Sequence, residues 1–418
     1  MRARRIKGRA TLNDQPAGPS GTITGFREWM AVSVVLSGGM MLALVVSAMS
    51  PIAAKAAAYF AKSGNGDMVT QMIVTTPAVG IIIGGPVCGW LIALLGAKRF
   101  FLIALGLFGL AGSAGLYLDD ASTLLVSRFL LGLATSGIVT AMITMIGAFY
   151  TPQVRARILG YQSATGALAG VAIIFGAGQL GELAGWRAPF GLYLLAFPVL
   201  ALGALYLPTT ERPAKRSKQS APTDYSALIN LWPIYLMIIP MFIAVYMPNI
   251  QVSFLLRDDG VTNAMTQSYV ILTGAATVAL AAWQFGPLQR WLGNNTILLL
   301  CFVFQGAGIA LMGLTHGPIW TALGCAILGI GTGISNPVIG DLIVSRTAPD
   351  IRSLAIGASY TARYSGDFIN PLVVHPLGVA FGLHRAFVVV GSLFLAGVAI
   401  AAAIRQNGKG RRPAEVRN

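Results

Sequence analysis

The chain has 418 residues, of which 55% are hydrophobic and only 10% are charged, and its mean hydropathy is +0.71. Soluble domains carry about 25% charged residues, so this composition excludes a soluble globular fold and indicates a protein surrounded by lipid. The net charge of +15 is a value also found in nucleic-acid-binding proteins, but the positions of the basic residues argue against such a partner.

Twelve apolar stretches follow one another along the chain, six before and six after a polar segment. Each is close to the length of about 20 residues that crosses the hydrocarbon core. They are continuously apolar rather than alternating, which predicts helices and not a barrel. The predicted spans lie near 29–50, 68–92, 99–118, 121–149, 155–182 and 188–207, then 231–255, 265–288, 296–315, 318–345, 352–380 and 385–404.

The polar segments divide the chain into five parts. We expect a basic tail at 1–27, an N-terminal six-helix bundle at 28–207, a linker at 208–230, a C-terminal six-helix bundle at 231–404 and a basic tail at 405–418. With tails and linker on one side, that side holds 22 of the 29 basic residues and the other side holds 5. The positive-inside rule then predicts cytoplasmic termini in a bacterial-type inner membrane, and no nucleic-acid partner.

Residues 89–160 return 197 positions later without a gap. The segments 89–96, 131–135 and 152–155 match 286–293, 328–332 and 349–352, and Gly185 and Phe190 still match Gly382 and Phe387 beyond them. The chain is therefore a tandem duplication of a six-helix unit. Parallel repeats of this kind are typical of secondary transporters.

Charged residues inside the predicted spans are the first candidates for function, because each costs about 2.5–3.5 kcal/mol to insert. Arg128 lies about two turns into the fourth span, with no carboxylate on its own helix. The eleventh span carries a polar stripe at spacings of three and four, which places its members on one helix face. The stripe is Tyr360, Arg363, Tyr364, Asp367 and Asn370.

Two interpretations of this stripe remain open. As a cavity wall, Arg363 would attract an anionic group or stabilise ionised Asp367, and Asp367 would carry the coupling proton. As a packing solution, Arg363 and Asp367 would form a neutral i,i+4 pair. Further candidates for the substrate pathway are Tyr246 and Asn249 beside Pro248, and Asn336 in the tenth span; Asp341 is expected in a cytoplasmic gate with Arg346 or Arg352.

The six-plus-six arrangement, the basic central segment and the repeated loop together resemble the major facilitator superfamily over about residues 25–405. That family carries Gly-Xaa-Leu-Xaa-Asp-Arg-Xaa-Gly-Arg-Arg after the second helix of each half, and Ala93 and Leu94 replace its acidic and basic pair here. Arg128 with Gly132 is similar to its Arg-Xaa-Xaa-Xaa-Gly motif, whereas 176–181 lacks the proline of the drug–proton antiporter branch. The resemblance implies conformational gating loops built from Gly89, Gly96, Lys98, Arg99, Gly286, Arg290, Gly293 and Asp341.

The expected function is secondary active transport of a small organic solute by alternating access between two bundles around a midplane site. We expect proton-coupled efflux; the alternative is proton-coupled uptake of an organic anion. An enzyme is not expected, because His316, His375 and His384 are scattered and form no His-Glu-Xaa-Xaa-His motif. No cofactor and no metal site are predicted, and the expected partners are the solute, protons and the lipid bilayer, with the protein acting as a monomer.

Overall fold

The structure is a computed structural model that describes residues 25–61, 64–208, 231–347 and 349–410. The described residues form α-helices and short 3₁₀ segments. The α-helices are α1 Phe26–Ser47, α2 Ala53–Phe60, α3 Gly66–Leu95, α4 Ala97–Ser113, α5 Ala121–Phe149, α6 Pro152–Leu183, α7 Ala196–Tyr206, α8 Trp232–Ile250, α9 Val252–Asp258, α10 Ala264–Trp283, α11 Phe285–Leu314, α12 Pro318–Arg346, α13 Pro349–Phe381 and α14 Leu383–Gly410. Most of the expected first tail and linker, and the end of the last tail, lie outside the described residues.

These helices make the twelve predicted spans, six in each half. A 3₁₀ turn, Ser50–Ile52, joins α1 to α2 within the first span, and a 3₁₀ helix, Ala188–Leu195, precedes α7 within the sixth. Eleven stretches of the described chain are long and apolar enough to cross a membrane. Helix α13 is not one of them despite its 33 residues, because it carries the polar stripe. The most polar span of this all-α membrane protein is thus the one with the candidate site.

Several predicted boundaries differ from the structure. The eighth span ends at Trp283 rather than near 288, and α11 begins at Phe285 and bends at Gly293, ahead of the predicted start of the ninth span at 296. The first span does not end near residue 50 but continues to Phe60, because Pro51 opens a 3₁₀ turn and Ala53 and Ala57 pack as buried residues against Phe254. The last helix extends to Gly410, beyond the predicted boundary at 404. The first extension consists mostly of apolar and small residues, whereas the second, 405–410, continues the helix through polar and basic residues.

Glycines allow equivalent helix pairs to pack closely in both halves. Helix α5 lies against α3, and a Cβ added at Gly132 would meet the carbonyl oxygen of Pro77 at 2.0 Å. The equivalent helix α12 lies against α10, and a Cβ at Gly329 would meet the carbonyl oxygen of Gly274 at 2.5 Å. Small residues at such contacts are the usual means of helix association in lipid. The 197-residue repeat is therefore a repeat of packing as well as of sequence.

The two bundles meet along two equivalent helix pairs. Helix α6 packs against α10, and its copy α13 packs against α3, which is the copy of α10. We call the side on which α7 ends and α8 begins the inner side, which the distribution of basic residues predicts to be cytoplasmic, and the opposite side the outer side. The candidate site lies between these helix pairs.

Candidate functional site

The polar stripe of α13 changes from exposed to buried along its length. Tyr360, nearest the inner side, is 49% exposed, whereas Tyr364 is 8%, Asp367 9% and Asn370 0% exposed. Because these residues share one helix face, the gradient reflects what that face meets at each level. The inner part of the face borders an open space, and the outer part is enclosed.

The open space is a cavity of about 520 Å³ along the inner halves of α12 and α13, which we call the inner cavity. Its polar lining consists of Asn336, Ser359, Tyr360 and Arg363. Arg363 is the one charged residue among the lining residues of the described chain. A volume of this size lies within the range of small-molecule sites, about 300–1,000 Å³.

Arg363 is held at the rim of the inner cavity by a neighbouring helix. Its Nη1 donates a hydrogen bond to Oδ1 of Asn336 at 2.6 Å, and the guanidinium lies 5.1 Å from the ring of Phe242 and 5.0 Å from that of Tyr360. Such cation–π contacts stabilise a guanidinium that is removed from water. No ion pair joins Arg363 to Asp367 in the described residues. The packing interpretation of these two charges is therefore not the arrangement found.

Asp367 lies one turn farther toward the outer side, in a separate buried pocket between the bundles. Helices α1 and α3 contribute Val45, Val74 and Pro77 from one half, and α8 contributes Tyr246 and Asn249 from the other. The free space is about 10 Å³, close to the minimum for one water molecule, about 10–15 Å³. The structure thus brings together Tyr246, Asn249, Tyr364 and Asp367, which are four of the candidates for the substrate and proton pathway.

Buried amides close the interface on the outer side of this pocket. Nε2 of Gln251 donates to Oδ1 of Asn370 and lies 3.5 Å from Oε1 of Gln71, which belongs to the other half. Nδ2 of Asn370 donates to the carbonyl oxygen of Ile243 at 2.7 Å. Burial of unpaired amides is costly, so this chain of contacts favours a closed interface.

Charged and polar contacts between the halves continue this closure to the outer surface. Arg257 forms two hydrogen bonds to the carboxylate of Asp67, at 2.7 and 2.8 Å. The carboxylate of Glu182 accepts a hydrogen bond from the backbone N–H of Ala264 at 3.1 Å. This contact lies at the N-terminus of α10, where a negative charge is stabilising. We call the contacts Gln71–Gln251, Asp67–Arg257, Glu182–Ala264, Asn65–His375 and Ser268–Ile174 the outer seal.

Arg128 lies away from both the inner cavity and the buried pocket. It is 1% exposed, and its Nη2 donates to the carbonyl oxygens of Ala111 and Gly112 at 2.7 Å each. Its guanidinium also lies 5.0 Å from the ring of Phe190 and 5.3 Å from that of Tyr193. All of these partners belong to the N-terminal bundle. Carbonyl oxygens and aromatic faces thus replace the carboxylate that its own helix lacks.

The architecture consists of two six-helix units around a central polar stripe, and it is closed at the outer side. A sequence profile of the Major Facilitator Superfamily matches residues 29–371, more than half of the chain. The chain belongs to the major facilitator superfamily. As a member of this superfamily it is a multi-pass membrane protein of the transporter type rather than an enzyme.

Characterised relatives of this superfamily member include resistance and efflux proteins. Puromycin resistance protein pur8 of Streptomyces alboniger is 24% identical over 367 residues, which cover 80% of this chain and 66% of that protein. Multidrug efflux protein YfmO of Bacillus subtilis (strain 168) is 25% identical over 267 residues, which cover 62% of this chain and 65% of that protein. The chain thus matches slightly less than two thirds of each relative's own length.

Solved structures with the same fold include transporters with other substrates. A variant of the nucleoside transporter NupG gives a TM-score of 0.73 at 12% identity, covering 89% of this chain and 98% of that one. A D-xylose–proton symporter gives a TM-score of 0.73 at 14% identity, covering 89% and 96%. At these identities the likeness shows the fold alone, two six-helix bundles of the major facilitator type.

In each of the two loops that the superfamily resemblance identifies, a glycine forms the turn. Gly96 (φ 84°) and Gly293 (φ 69°) adopt left-handed conformations at equivalent positions, where the second span of each half turns into the third. In the first copy, Lys98 Nζ donates to the carbonyl oxygens of Ala204 and Leu207 at 3.1 and 2.5 Å, while Arg99 and Gly89 are exposed. The lysine therefore caps the inner end of α7, which is a helix C-terminus, where a positive charge is stabilising.

In the second copy of the loop, Asp341 forms hydrogen bonds with residues other than the expected arginines. Asp341 accepts hydrogen bonds from Nε2 of Gln289 at 3.1 Å and from Nδ2 of Asn294, and Gln289 also donates to Asn294 at 2.9 Å. Arg290 is exposed. The expected pairing of Asp341 with Arg346 is not formed; the side chain of Arg352 lies outside the described residues. The amides that flank Gly293 are nearer to Asp341, so they take its carboxylate.

Several residues of the outer seal were not candidates in the sequence. Asp67 and Gln71 lie near the outer end of α3, where charged and polar side chains are ordinary, and no spacing on their own helix distinguishes them. Their partners Arg257 and Gln251 are 190 and 180 residues away. The sequence does place an acidic residue at the outer end of the second span and a basic residue at the outer end of the seventh. This placement alone does not show that the two residues form a pair.

Proposed function

We propose that the chain exports a small organic solute in exchange for protons, by alternating access in an inner membrane. The observation that carries the proposal is the position of Asp367: a buried carboxyl group between the two bundles, with the outer seal on one side and the inner cavity on the other. As part of this proposal both chain ends face the cytoplasm, and the bundles at 28–207 and 231–404 rock as units within a monomer.

Asp367 is suited to carry a proton because its ionised form is energetically unfavourable while the outer seal is closed. No described lysine or arginine forms an ion pair with it, and an isolated buried carboxylate is strongly disfavoured relative to its neutral form. We propose that the outer seal closes on protonated Asp367. When the bundles tilt the other way, α13 separates from α3 and the pocket opens to the outer side, where Asp367 takes up its proton.

Arg363 is suited to bind the solute in the inner cavity. Its guanidinium faces that cavity beside Asn336 and Tyr360, so a solute with a hydrogen-bond acceptor and an aromatic or apolar part would fit. Solute entry would bring solvent to within one helical turn of Asp367 and favour release of the proton to the inner side. Export is supported by the relatives named for puromycin resistance and multidrug efflux.

The second candidate, proton-driven uptake of an organic anion, is favoured by one observation. Arg363 is the single charged residue that lines the described inner cavity, and its charge is positive. An anionic solute would neutralise it directly. The two candidates share the site and differ in the direction of solute relative to the proton.

Counterflow and proton flux in proteoliposomes test the proposal. Puromycin or a monocarboxylate such as benzoate is added to vesicles that contain a trapped pH dye, with the pH gradient imposed in either direction. Export predicts that solute and proton move in opposite directions. We expect Asp367→Asn to retain solute exchange and to lose acceleration by the gradient by about two orders of magnitude, within the range of a proton-transfer role, about 10²–10⁴.

Asp119→Asn is the matched control, because Asp119 is an exposed outer carboxylate that pairs with Arg187 within the N-terminal half. It should respond to the gradient as the wild type does. Gradient-driven transport that survives Asp367→Asn would contradict the proposed proton site. Co-directional movement of benzoate and protons would replace export by the second candidate.

A further inference from the structure

Three side chains that are far apart in sequence converge at the outer surface of the C-terminal half. Asp259 follows α9, His316 precedes α12, and His384 lies in the first turn of α14. Nδ1 of His316 lies 2.7 Å and Nε2 of His384 lies 3.0 Å from the same carboxylate oxygen of Asp259. The three potential ligand atoms all lie within 4.8 Å of one another. These histidines are scattered in the sequence, and the fold brings two of the three together.

The N-terminal half shows what the same positions do without histidine. The residues that precede His316 and His384 by 197 positions are Asp119 and Arg187, which form an ion pair. In the C-terminal half two imidazoles occupy these positions, and the carboxylate comes from Asp259 in another loop. The duplicated fold therefore holds these two positions close together in both halves, and only the second copy has a metal-ligating group at both of them.

We propose that Asp259, His316 and His384 form a binding site for a divalent transition-metal ion, of which Zn²⁺ is the best match. Two imidazole nitrogens and one carboxylate oxygen are a common ligand set for Zn²⁺, which binds such atoms at about 2.0–2.2 Å. The carboxylate oxygen now lies 2.7 and 3.0 Å from the two imidazole nitrogens, so small movements of the side chains would make room for an ion between them. The fourth position would be open to solvent, because the side chain of His316 is 73% exposed.

The surroundings hold the three ligands in place. Oδ2 of Asp259 accepts the backbone N–H of Gly317 at 2.8 Å, which orients the carboxylate and leaves Oδ1 for the histidines. Outer-shell bonds of this kind are typical of metal sites. Gly260, Gly317 and Gly382, each within two residues of a ligand, have φ values of 82°, 87° and 86°, so tight turns present all three ligands. Burial alone would raise the pKa of Asp259, but Gly317 and the imidazoles lower it below its ordinary value.

A bound ion would also act on the outer seal. Asp259 follows Arg257 by two residues, and Arg257 contacts Asp67 of the other half. Fixing Asp259 to α12 and α14 would therefore fix the segment that carries this contact. The site makes external Zn²⁺ a candidate stabiliser of the outward-closed state.

Binding of Zn²⁺ to the purified full chain, isolated without a polyhistidine tag, tests the site. We expect one ion per chain by calorimetry, and Co²⁺ in its place should give the visible absorption bands of a four-coordinate site. His316→Ala with His384→Ala, and separately Asp259→Asn, should weaken binding at least about tenfold, because loss of even an outer-shell partner costs about 10–100-fold in metal affinity. His375→Ala is the matched control, because it removes the chain's third histidine, and it should bind as the wild type does.

A second readout separates the site from general damage to the fold. Ser253 is 1% exposed at the closed interface, and in a Ser253→Cys background Zn²⁺ should slow labelling by an impermeant thiol reagent from the outer side. The double histidine variant should label at the same rate with and without Zn²⁺. Absence of saturable binding to the wild type, undiminished binding to the double variant, or equal loss in His375→Ala would overturn the proposal.

Discussion

Helices α6 and α13 are copies of one helix and occupy equivalent places between the bundles, but they have diverged in use. Positions 166 and 170 are glycines in α6, and the equivalent positions in α13 are Arg363 and Asp367. Gly166 lies against the backbone of Gly39, where an added Cβ would meet the carbonyl oxygen at 3.1 Å. Arg363 and Asp367 face the inner cavity and the buried pocket.

The difference shows that a duplication can supply symmetric geometry and asymmetric chemistry. The proposed alternating access requires two units that tilt against each other, and both copies of this helix lie at the interface between them. Charged side chains at these two positions are costly to insert, and only one copy of the helix carries them. In this chain the N-terminal copy of the helix is specialised for close packing, and the C-terminal copy is specialised for charge.

The most severe test of this comparison transfers the charge to the packing copy. Gly166→Arg should strongly reduce the yield and thermal stability of folded protein, because it combines an uncompensated membrane charge of about 2.5–3.5 kcal/mol with overpacking of about 1–3 kcal/mol. Fluorescence-detected size exclusion after heating measures both. Gly160→Arg is the control, since an added Cβ there meets nothing within 4 Å. Arg363→Ala, the converse change, should fold nearly as well as the wild type; a folded Gly166→Arg transporter would contradict the division of roles.

A second test acts on the outer part of α6. A Cβ at Gly178 would meet Oγ of Ser268 at 1.9 Å and the carbonyl oxygen of Ala264 at 3.0 Å, so Gly178→Val should push the bundles apart at the outer seal. An overpacking cost of about 1–3 kcal/mol shifts the conformational equilibrium by about fivefold to about a hundredfold. External labelling of Ser253→Cys should accelerate accordingly. Gly176→Val, where an added Cβ has no neighbour within 4 Å, should label at the parental rate.

Removal of the contact between Asp67 and Arg257 in the outer seal should have a smaller effect on the labelling rate. Arg257→Gln removes the two hydrogen bonds to Asp67 and should increase the same labelling about fivefold, corresponding to about 1 kcal/mol for a partly exposed pair. Arg187→Gln is the control, because its partner Asp119 lies in the same half. Equal labelling of Arg257→Gln and the parent would mean that the buried amides alone maintain the closed state.

The smallest effect is expected at position 375, the α13 counterpart of Gly178. His375 contacts Nδ2 of Asn65 across the interface at 2.9 Å, and glutamine can replace it with an amide that also bonds to Asn65. His375→Gln should change the labelling rate about twofold or less, since a neutral hydrogen bond contributes about 0.5–1.5 kcal/mol and is here retained. A tenfold change would show that α13 closes the outer side as tightly as α6 does.

Sequence alone was sufficient for the membrane fold and for part of the site. The apolar stretches predicted the helices, the constant offset predicted the duplication, and spacings of three and four placed Tyr360, Arg363 and Asp367 on one face. Whether Arg363 pairs with Asp367 could not be predicted, because Asn336 is a competing partner on another helix. For Asp341 the choice was also between neighbours, and the amides of Gln289 and Asn294 prevailed over Arg346.

The number of spans, their duplication and the shared face of the stripe are local or periodic properties, and each residue contributes to them independently of its distant neighbours. Tertiary structure decided that one end of this face is open and the other closed, that Gln71 meets Gln251, and that His316 and His384 meet at Asp259. These outcomes depend on how whole helices tilt and pack, and their partners lie 57 to 180 residues apart. Neither hydropathy nor spacing within one helix contains that information.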